Sequence, residues 1–286
     1  MDLAEILNLR PQRAAGEQVE QRRIVGREHL VVTYRSDPAA IRAVLPEPLK
    51  PDGSHTVSLE FIATPDAAGR GADVQSRVAV PAWFRGTPVE FVARSFIDEA
   101  PDAVERWDEA RRPGHSRLVI VHDTLTGVLE AEGRAIAVAS MGYKHQHFVC
   151  GAERLRACPT DDVALRLARM QVRLRRIVDG DGRVVLAQLV GAAAAAVEVK
   201  GAWAGSAQLY LPTLAASPLP VREVLGGVHF IADLAVAAPR VLVDYAAAGA
   251  RRAAAEGPAT REPVPAPRRT IGRSTSPRAV RQEACT

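Results

Sequence analysis

The chain has 286 residues, 47% of them hydrophobic, and a formal net charge of +4. This length and composition predict a soluble protein with a sizeable core, and the lack of any apolar run near 20 residues excludes a membrane-spanning helix. Three cysteines without Cys-x-x-Cys spacing exclude a disulfide framework and a structural zinc site, and they fit a reducing cytoplasm.

The first third of the chain begins with a lead-in and turns to β structure. Residues 1–20 carry a short amphipathic turn, and they lack the basic and apolar regions of a secretory signal, so we expect a cytoplasmic location. Residues 29–35 are rich in β-branched and aromatic residues and predict a strand. Ser36 or Asp37 is then expected to cap a short helix with Pro38 in its first turn.

Residues 55–64 show the alternation of a strand. Apolar side chains of Val57, Leu59 and Phe61 fall on one face, while Glu60 falls on the other with its neighbours at i±2. Glu60 therefore points away from the main apolar stripe. In an isolated sheet that direction means solvent, and in a closed barrel it means the lumen.

The remaining segments favour an antiparallel sandwich or barrel because strands are many and helices few. A polar stretch at 98–114 predicts a helix or loop, a turn at 179–182 predicts a hairpin, and residues 240–248 predict a closing helix after Pro239. The predicted strands are 74–84, 89–97, 117–129, 134–143, 171–178, 183–190, 195–200 and 208–211.

The positive charge belongs to the C-terminal end. From Arg251 onward eight arginines face three glutamates, a balance of +5, which leaves 4 − 5 = −1 for the preceding 250 residues. Five prolines and no aromatic residue predict a disordered tail at 251–286, a solvated extension rather than a specific nucleic-acid binder. We therefore expect a lead-in at 1–20, one domain at 21–250 and this tail.

Eight sequence blocks, in order and spacing, resemble the acetoacetate decarboxylase family from about Val25 to about Tyr245. The resemblance implies a mainly β (α+β) fold, a cone-shaped antiparallel β-barrel with a few short helices and a central pocket. It also implies a homo-oligomer and a small organic-acid substrate. The blocks are VGREHL at 25–30, YRSDP at 34–38, VLPEPL at 44–49, DTLTGVL at 123–129, MGYKH at 141–145, AWAG at 202–205, LPVREV at 219–224 and HFIAD at 229–233.

The family's activity implies a lysine that this chain lacks. Its members decarboxylate a β-keto acid through a Schiff base on the first lysine of a Lys-Lys pair, in a Tyr-Pro-Lys-Lys-Leu-Gly type segment. The matching stretch, 109–114, reads Glu-Ala-Arg-Arg-Pro-Gly, so Arg111 and Arg112 stand at the pair. A guanidinium stays protonated and has no free lone pair to attack a carbonyl, so an imine at Arg111 is excluded.

Other family positions are partly kept. The resemblance places Arg27 near the substrate carboxylate and Glu60 as one of two active-site glutamates, while the second falls on Gln75. A pocket with Arg27, Arg111 and Arg112 against Glu60 favours binding an anion. Either lysine drifted to arginine after the original activity ceased to matter, or the site was repurposed.

The chain has only three lysines, Lys50, Lys144 and Lys200, and Lys144 is the one alternative nucleophile. The other interpretation of Lys144 is a structural lysine at a strand end, since a catalytic lysine needs a desolvated pocket. His145 and His147 share one face of an extended strand, but no third ligand is visible, so we predict no metal. No dinucleotide or serine-nucleophile motif occurs, so no cofactor is expected.

These observations predict an enzyme acting on a keto acid or related carboxylate, a lyase without a Schiff base at the ancestral position. Arg27 and Arg111 are expected to bind carboxylate or enolate oxygens, with Gln75 and Arg112 beside them and Glu60 moving protons. The alternative is a catalytically silent carboxylate-binding homologue.

Overall fold

The structure, a computed structural model, describes residues 22–65, 71–98, 111–144, 159–178, 184–211 and 219–245. The predicted lead-in, the C-terminal tail, the turn at 179–182, His145 and His147 lie outside these residues, as does most of the polar stretch at 98–114.

The described residues form fifteen strands and two helices, which confirms the mainly β class. The helices are α1 (Pro38–Val44) and α2 (Pro159–Ala168). The strands are β1 (Arg22–Arg35), β2 (Leu49–Pro51), β3 (Thr56–Thr64), β4 (Asp73–Phe84), β5 (Thr87–Ile97), β6 (Arg111–Pro113), β7 (His115–Val121), β8 (Thr124–Ala131), β9 (Arg134–Gly142), β10 (Met170–Val178), β11 (Val184–Ala192), β12 (Ala194–Gly205), β13 (Ala207–Tyr210), β14 (Glu223–Val236) and β15 (Arg240–Asp244).

The strands pair in two sheets. The larger has eleven strands in the order β12-β14-β1-β3-β4-β5-β10-β11-β15, with β2 paired to β4 and β6 paired to β5. The smaller has the order β13-β9-β8-β7. Over the described ranges the larger sheet runs open from β12 to β15, with no ladder between these two strands, rather than closing into the expected cone.

The two faces of the larger sheet bury different chemistry. One face packs on the smaller sheet through a large apolar cluster that includes Leu30, Leu59, Phe61 and Leu129. The other face carries charged side chains beside a smaller apolar cluster, in which Val163 and Leu167 of α2 pack near Val31 and Phe230. Helix α2 therefore covers the polar face of the sheet.

Two predicted elements were wrong, and the described end of the polar stretch at 98–114 forms strand β6 rather than a helix or loop. Residues 117–129 form not one strand but the β7–β8 hairpin, in which His122 takes a positive φ of 53° without the glycine or proline that marks most turns. Residues 240–244 form strand β15 instead of a helix, because β-branched Val241 and Val243 pair with the edge of β11. Asp37 is the cap of α1, accepting from Ala39 N at 2.8 Å.

Candidate functional site

Six charged or ionisable side chains meet on the face of the larger sheet that α2 covers. Strand pairing sets Val31 of β1 opposite Glu60 of β3, and Glu60 opposite Arg77 of β4. Because side chains alternate along β1, His29 and Arg27 lie on the same face as Val31. We call this set the polar layer: Arg27, His29, Glu60, Arg77, Glu90 and Arg166.

A β-bulge lies directly before Arg27 on β1. The register of β1 against β14 shifts between Ile24 and Arg27, and Gly26 adopts the left-handed φ of 65° that glycine tolerates without strain. The amide of Gly26 donates to Asp233 Oδ1 at 2.8 Å, which holds the bulge in place.

A second bulge brings Glu90 to the same face. On β5, Ser95 lies opposite Arg77, but the register shifts between Val78 and Ala79 of β4, after which Glu90 lies opposite Pro81. Because one extra residue reverses the alternation, Glu90 points to the face that carries Glu60 rather than into the apolar core.

Glu60 is buried and bound by two guanidiniums. Its side chain is 1% exposed, Arg77 Nε lies 2.6 Å from Oε2, and Arg166 Nη2 donates to Oε1. The hydroxyl of Ser58 donates to the same Oε1 at 3.4 Å. The prediction that Glu60 points away from the apolar stripe is confirmed, and both of its oxygens are engaged by positive charge.

Arg166 bridges Glu60 to a second buried carboxylate, Glu90. Arg166 Nη2 lies 2.8 Å from Glu90 Oε1, and Gln171 Nε2 donates to Glu90 Oε2 at 2.8 Å. Burial acts to raise the pKa of Glu90, but the charges of Arg166 and Arg77 and the bond from Gln171 outweigh it and lower this pKa to about 2. Burial alone would lower the pKa of Arg166, yet Glu90 and Glu60 raise it.

Arg27 and His29 differ from the others because their buried polar atoms are unpaired. Burial and the charge of Arg77 lower the pKa of Arg27 to about 10, and burial with the charges of Arg27, Arg77 and Arg166 keeps the pKa of His29 well below 6.5, so His29 is neutral. Arg27 Nε and both ring nitrogens of His29 have no hydrogen-bond partner among the described residues. Each such buried unpaired group costs about 1–3 kcal/mol.

The layer carries an excess of positive charge. Three guanidiniums, from Arg27, Arg77 and Arg166, face the carboxylates of Glu60 and Glu90, which leaves one net positive charge. A single organic carboxylate would balance it. Arg166 is one-quarter exposed and Arg27 is half-buried, so the layer reaches solvent at these two residues.

The other predicted site residues lie around this layer at different depths. Gln75 is half-buried on β4, two residues before Arg77 and thus on the same face. Arg112 on β6 is exposed, and its charge adds to burial in lowering the pKa of Arg94. The backbone of Arg111 pairs with Ser95 of β5, which lies opposite Arg77 of β4. The side chain of Arg111 is not among those that the structure describes.

Lys144 lies on the opposite face of the sheet. It is exposed, and its Nζ lies 5.1 Å from the ring centroids of both Tyr143 and Trp203. Trp203 stacks on buried His229, whose Nε2 lies 2.7 Å from Glu28 Oε1. Because Glu28 alternates with Arg27 and His29 along β1, the structure does not bring Lys144 together with Arg27 and Glu60.

Sequence reasoning missed His29, Arg77, Glu90 and Arg166. A signal existed for Glu90 and Arg77, because each is a charged residue inside a run of β-branched residues. Helix α2 also had its signal, with Pro159 at its start and two aspartates in its first turn. No pattern links Arg166 to Glu60, which lies 106 residues earlier.

Two features are absent from the described ranges. No three His, Cys, Asp or Glu side chains converge there as a metal site would require. None of the helices in those ranges is long and apolar enough to cross a membrane.

Comparison with known proteins gives a consistent family. The acetoacetate decarboxylase (ADC) family model matches residues 9–246. The acetoacetate decarboxylase of Chromobacterium violaceum is 36% identical over 229 residues, which cover 78% of this chain and 89% of that protein. The chain belongs to the acetoacetate decarboxylase family.

Solved structures share the fold. The enzyme from Legionella pneumophila superposes with a TM-score of 0.69 at 30% identity, covering 80% of this chain and 89% of that one. The enduracididine biosynthesis enzyme MppR, solved in complex with pyruvate, superposes with a TM-score of 0.58 at 21% identity and covers 82% of this chain and 94% of that one. At that identity the second likeness shows the fold alone.

The interpretation that Arg111 and Arg112 stand at the family's lysine pair stays a prediction. The polar layer itself contains three guanidiniums, those of Arg27, Arg77 and Arg166. The positive groups of this layer are therefore guanidiniums, and none is a lysine amine.

Proposed function

We propose that the protein is an imine-free member of its family that acts on a small keto acid or a related carboxylate. The reaction is a decarboxylation or a related lyase, aldol or dehydration step. The observation that carries this proposal is the net positive charge of the buried layer, in which Arg27, Arg77 and Arg166 outnumber Glu60 and Glu90. Buried guanidiniums at low solvent exposure favour an anion more strongly than they would in water.

The chemistry needs an acceptor for an electron pair. When a β-keto acid loses CO₂, the bond between the carboxylate carbon and the α carbon breaks and its electron pair moves to the keto oxygen as an enolate. A proton then returns to the α carbon to give the ketone. Arg27 and Arg111 hold the carboxylate or enolate oxygens in this proposal, with Gln75 and Arg112 as further substrate contacts, because fixed positive charge stabilises the developing enolate.

Glu60 is the proposed proton carrier. Because both of its oxygens accept from guanidiniums, it can exchange a proton with a substrate only once a substrate anion draws Arg166 away. This requirement couples proton transfer to substrate binding.

A catalytically silent carboxylate-binding homologue is the second candidate. The double engagement of Glu60 by Arg77 and Arg166 favours it, since a carboxylate in two ion pairs is a poor base. Both candidates share the binding of an organic anion and differ only in turnover.

The test combines turnover with chemical trapping. Acetoacetate and pyruvate are each incubated with the protein, release of CO₂ is followed, and borohydride is added to reduce any imine before intact-mass analysis. The proposal expects turnover without a lysine adduct, and loss of that turnover in Glu60→Gln. Carboxylates that raise the melting temperature without any keto acid turning over would instead establish the silent homologue.

We also infer a cytoplasmic location and a homo-oligomer. The odd number of cysteines, three, supports the first, and family membership supports the second. Light scattering of the full chain measures the second directly, and a monomer mass would contradict it.

A further inference from the structure

His29 is buried in the polar layer with nothing to bond. It is 1% exposed, and neither Nδ1 nor Nε2 has a hydrogen-bond partner in the part of the chain that the structure describes. Arg27, two residues before it on the same face of β1, has an unpaired buried Nε. Native proteins pair nearly all such atoms with protein, water or ligand, so three of them on adjacent side chains indicate a ligand.

The chemistry of these atoms defines what the ligand offers. Arg27 Nε–H is a charged donor, while the neutral imidazole of His29 has one N–H donor and one acceptor nitrogen. The neutral form adds a directional donor without adding to the positive charge that Arg27, Arg77 and Arg166 already supply. A ligand with a charged oxygen and a second, neutral oxygen close to it fits this pair.

The ring of His29 is held in a fixed orientation. It stacks on Phe230 with a centroid distance of 4.4 Å and an interplanar angle of 15°. A donor that is already oriented loses little conformational entropy when a ligand binds. The nitrogens themselves have no exposed surface, and the layer reaches solvent at Arg27 and Arg166, so binding requires Arg166 to move.

We propose that His29 is a substrate-binding residue that recognises the keto oxygen of a keto acid, while Arg27 Nε–H binds its carboxylate. This inference rests on the proposed function, because it names the part of the keto acid that the layer distinguishes. His29 thereby selects keto acids over plain carboxylates of the same size.

The experiment compares two ligands that differ only at this oxygen. Pyruvate and propionate are titrated by calorimetry into wild type, His29→Phe and His29→Gln. In wild type, pyruvate binds more tightly than propionate. His29→Phe lowers the ratio of the two affinities by about tenfold, the effect of one hydrogen bond, and leaves propionate binding unchanged. His29→Gln, which keeps a donor and an acceptor, restores part of the ratio.

A stability readout separates binding from a structural role. Without ligand, His29→Phe melts at or above the temperature of wild type, because an unpaired polar ring is replaced by an apolar ring that can stack on Phe230. The matched control is His229→Phe on the opposite face, which loses a bond to Glu28 and so lowers the melting temperature but leaves the affinity ratio intact.

The outcomes identify which claim fails. An unchanged pyruvate-to-propionate ratio in His29→Phe overturns the role of His29 while leaving the anion site in place. The absence of binding of either acid by wild type overturns the proposed function and this inference together. Should His29→Phe not fold, the pyruvate-to-propionate affinity ratio of His29→Gln decides. A ratio below that of wild type supports the role of His29, and a ratio equal to that of wild type contradicts it.

Discussion

The guanidinium of Arg166 on α2 donates to the buried carboxylate of Glu60 on β3, across 106 residues of sequence. The same guanidinium bonds Glu90 on β5. One side chain therefore joins a helix to two strands of the larger sheet and balances half of the charge of the two carboxylates.

Removing Arg166 should destabilise the fold strongly. Arg166→Ala leaves two buried carboxylates with fewer partners, and breaking a buried ion pair from one side costs about 3–5 kcal/mol. Urea unfolding measures this cost. The matched control is Arg117→Ala, which breaks an exposed pair with Glu130 and should cost less than about 1 kcal/mol. Equal small losses in both variants would show that the Arg166 bridge contributes nothing.

Glu90 should make stability depend on acid pH. Its pKa is about 2 in the folded protein against an ordinary value of 4.5, so its contribution to stability is present above pH 4.5 and is lost as pH falls from 4.5 through 2. Urea unfolding of wild type between pH 7 and pH 3 should show this loss. Glu90→Gln should be less stable at pH 7 and should lose less on acidification, whereas Glu130→Gln on the surface should follow wild type.

The position of Glu90 also shows where sequence reasoning stops. Unbroken alternation along β5, counted from Ser95, would place Glu90 on the apolar face of the sheet. Only the register shift against β4 turns Glu90 to the face of Glu60. For Glu60, whose strand pairs with β4 without a bulge, alternation sufficed.

Whether other elements could be predicted from the sequence also depended on how local their interactions are. The cap at Asp37 is a local interaction and was readable from sequence. Strand β15 depends on pairing with distant β11, and Arg166 depends on how α2 lies over the sheet, so neither has a local signature.

Lys144 should not be needed for turnover or for anion binding. It is exposed beside Tyr143 and Trp203 and does not lie with Arg27 and Glu60, whereas an imine-forming lysine needs a desolvated pocket. Lys144→Ala should keep wild-type activity and lose less than about 1 kcal/mol of stability. Loss of activity in Lys144→Ala, with Lys200→Ala unaffected, would support an imine at Lys144 instead.

Gly127 should be required for the packing of the two sheets. A Cβ at Gly127 of β8 would overlap the ring of Phe61, which is fully buried on β3. Gly127→Ala should therefore cost about 1–3 kcal/mol from overpacking. The control is Thr126→Ala, because the side chain of Thr126 points to the other face of β8. If both variants unfolded at the temperature of wild type, Gly127 would not lie against Phe61 as described.

The central claim is that this family member handles keto acids without an imine. Imine formation expels the keto oxygen as water, and hydrolysis of the imine returns an oxygen from solvent, so the imine route labels the ketone when the solvent is H₂¹⁸O. We predict that acetoacetate incubated with the protein in H₂¹⁸O releases CO₂, and that the acetone formed contains no more ¹⁸O than uncatalysed exchange with the solvent introduces. Entry of ¹⁸O into acetone at the rate of CO₂ release would contradict the account.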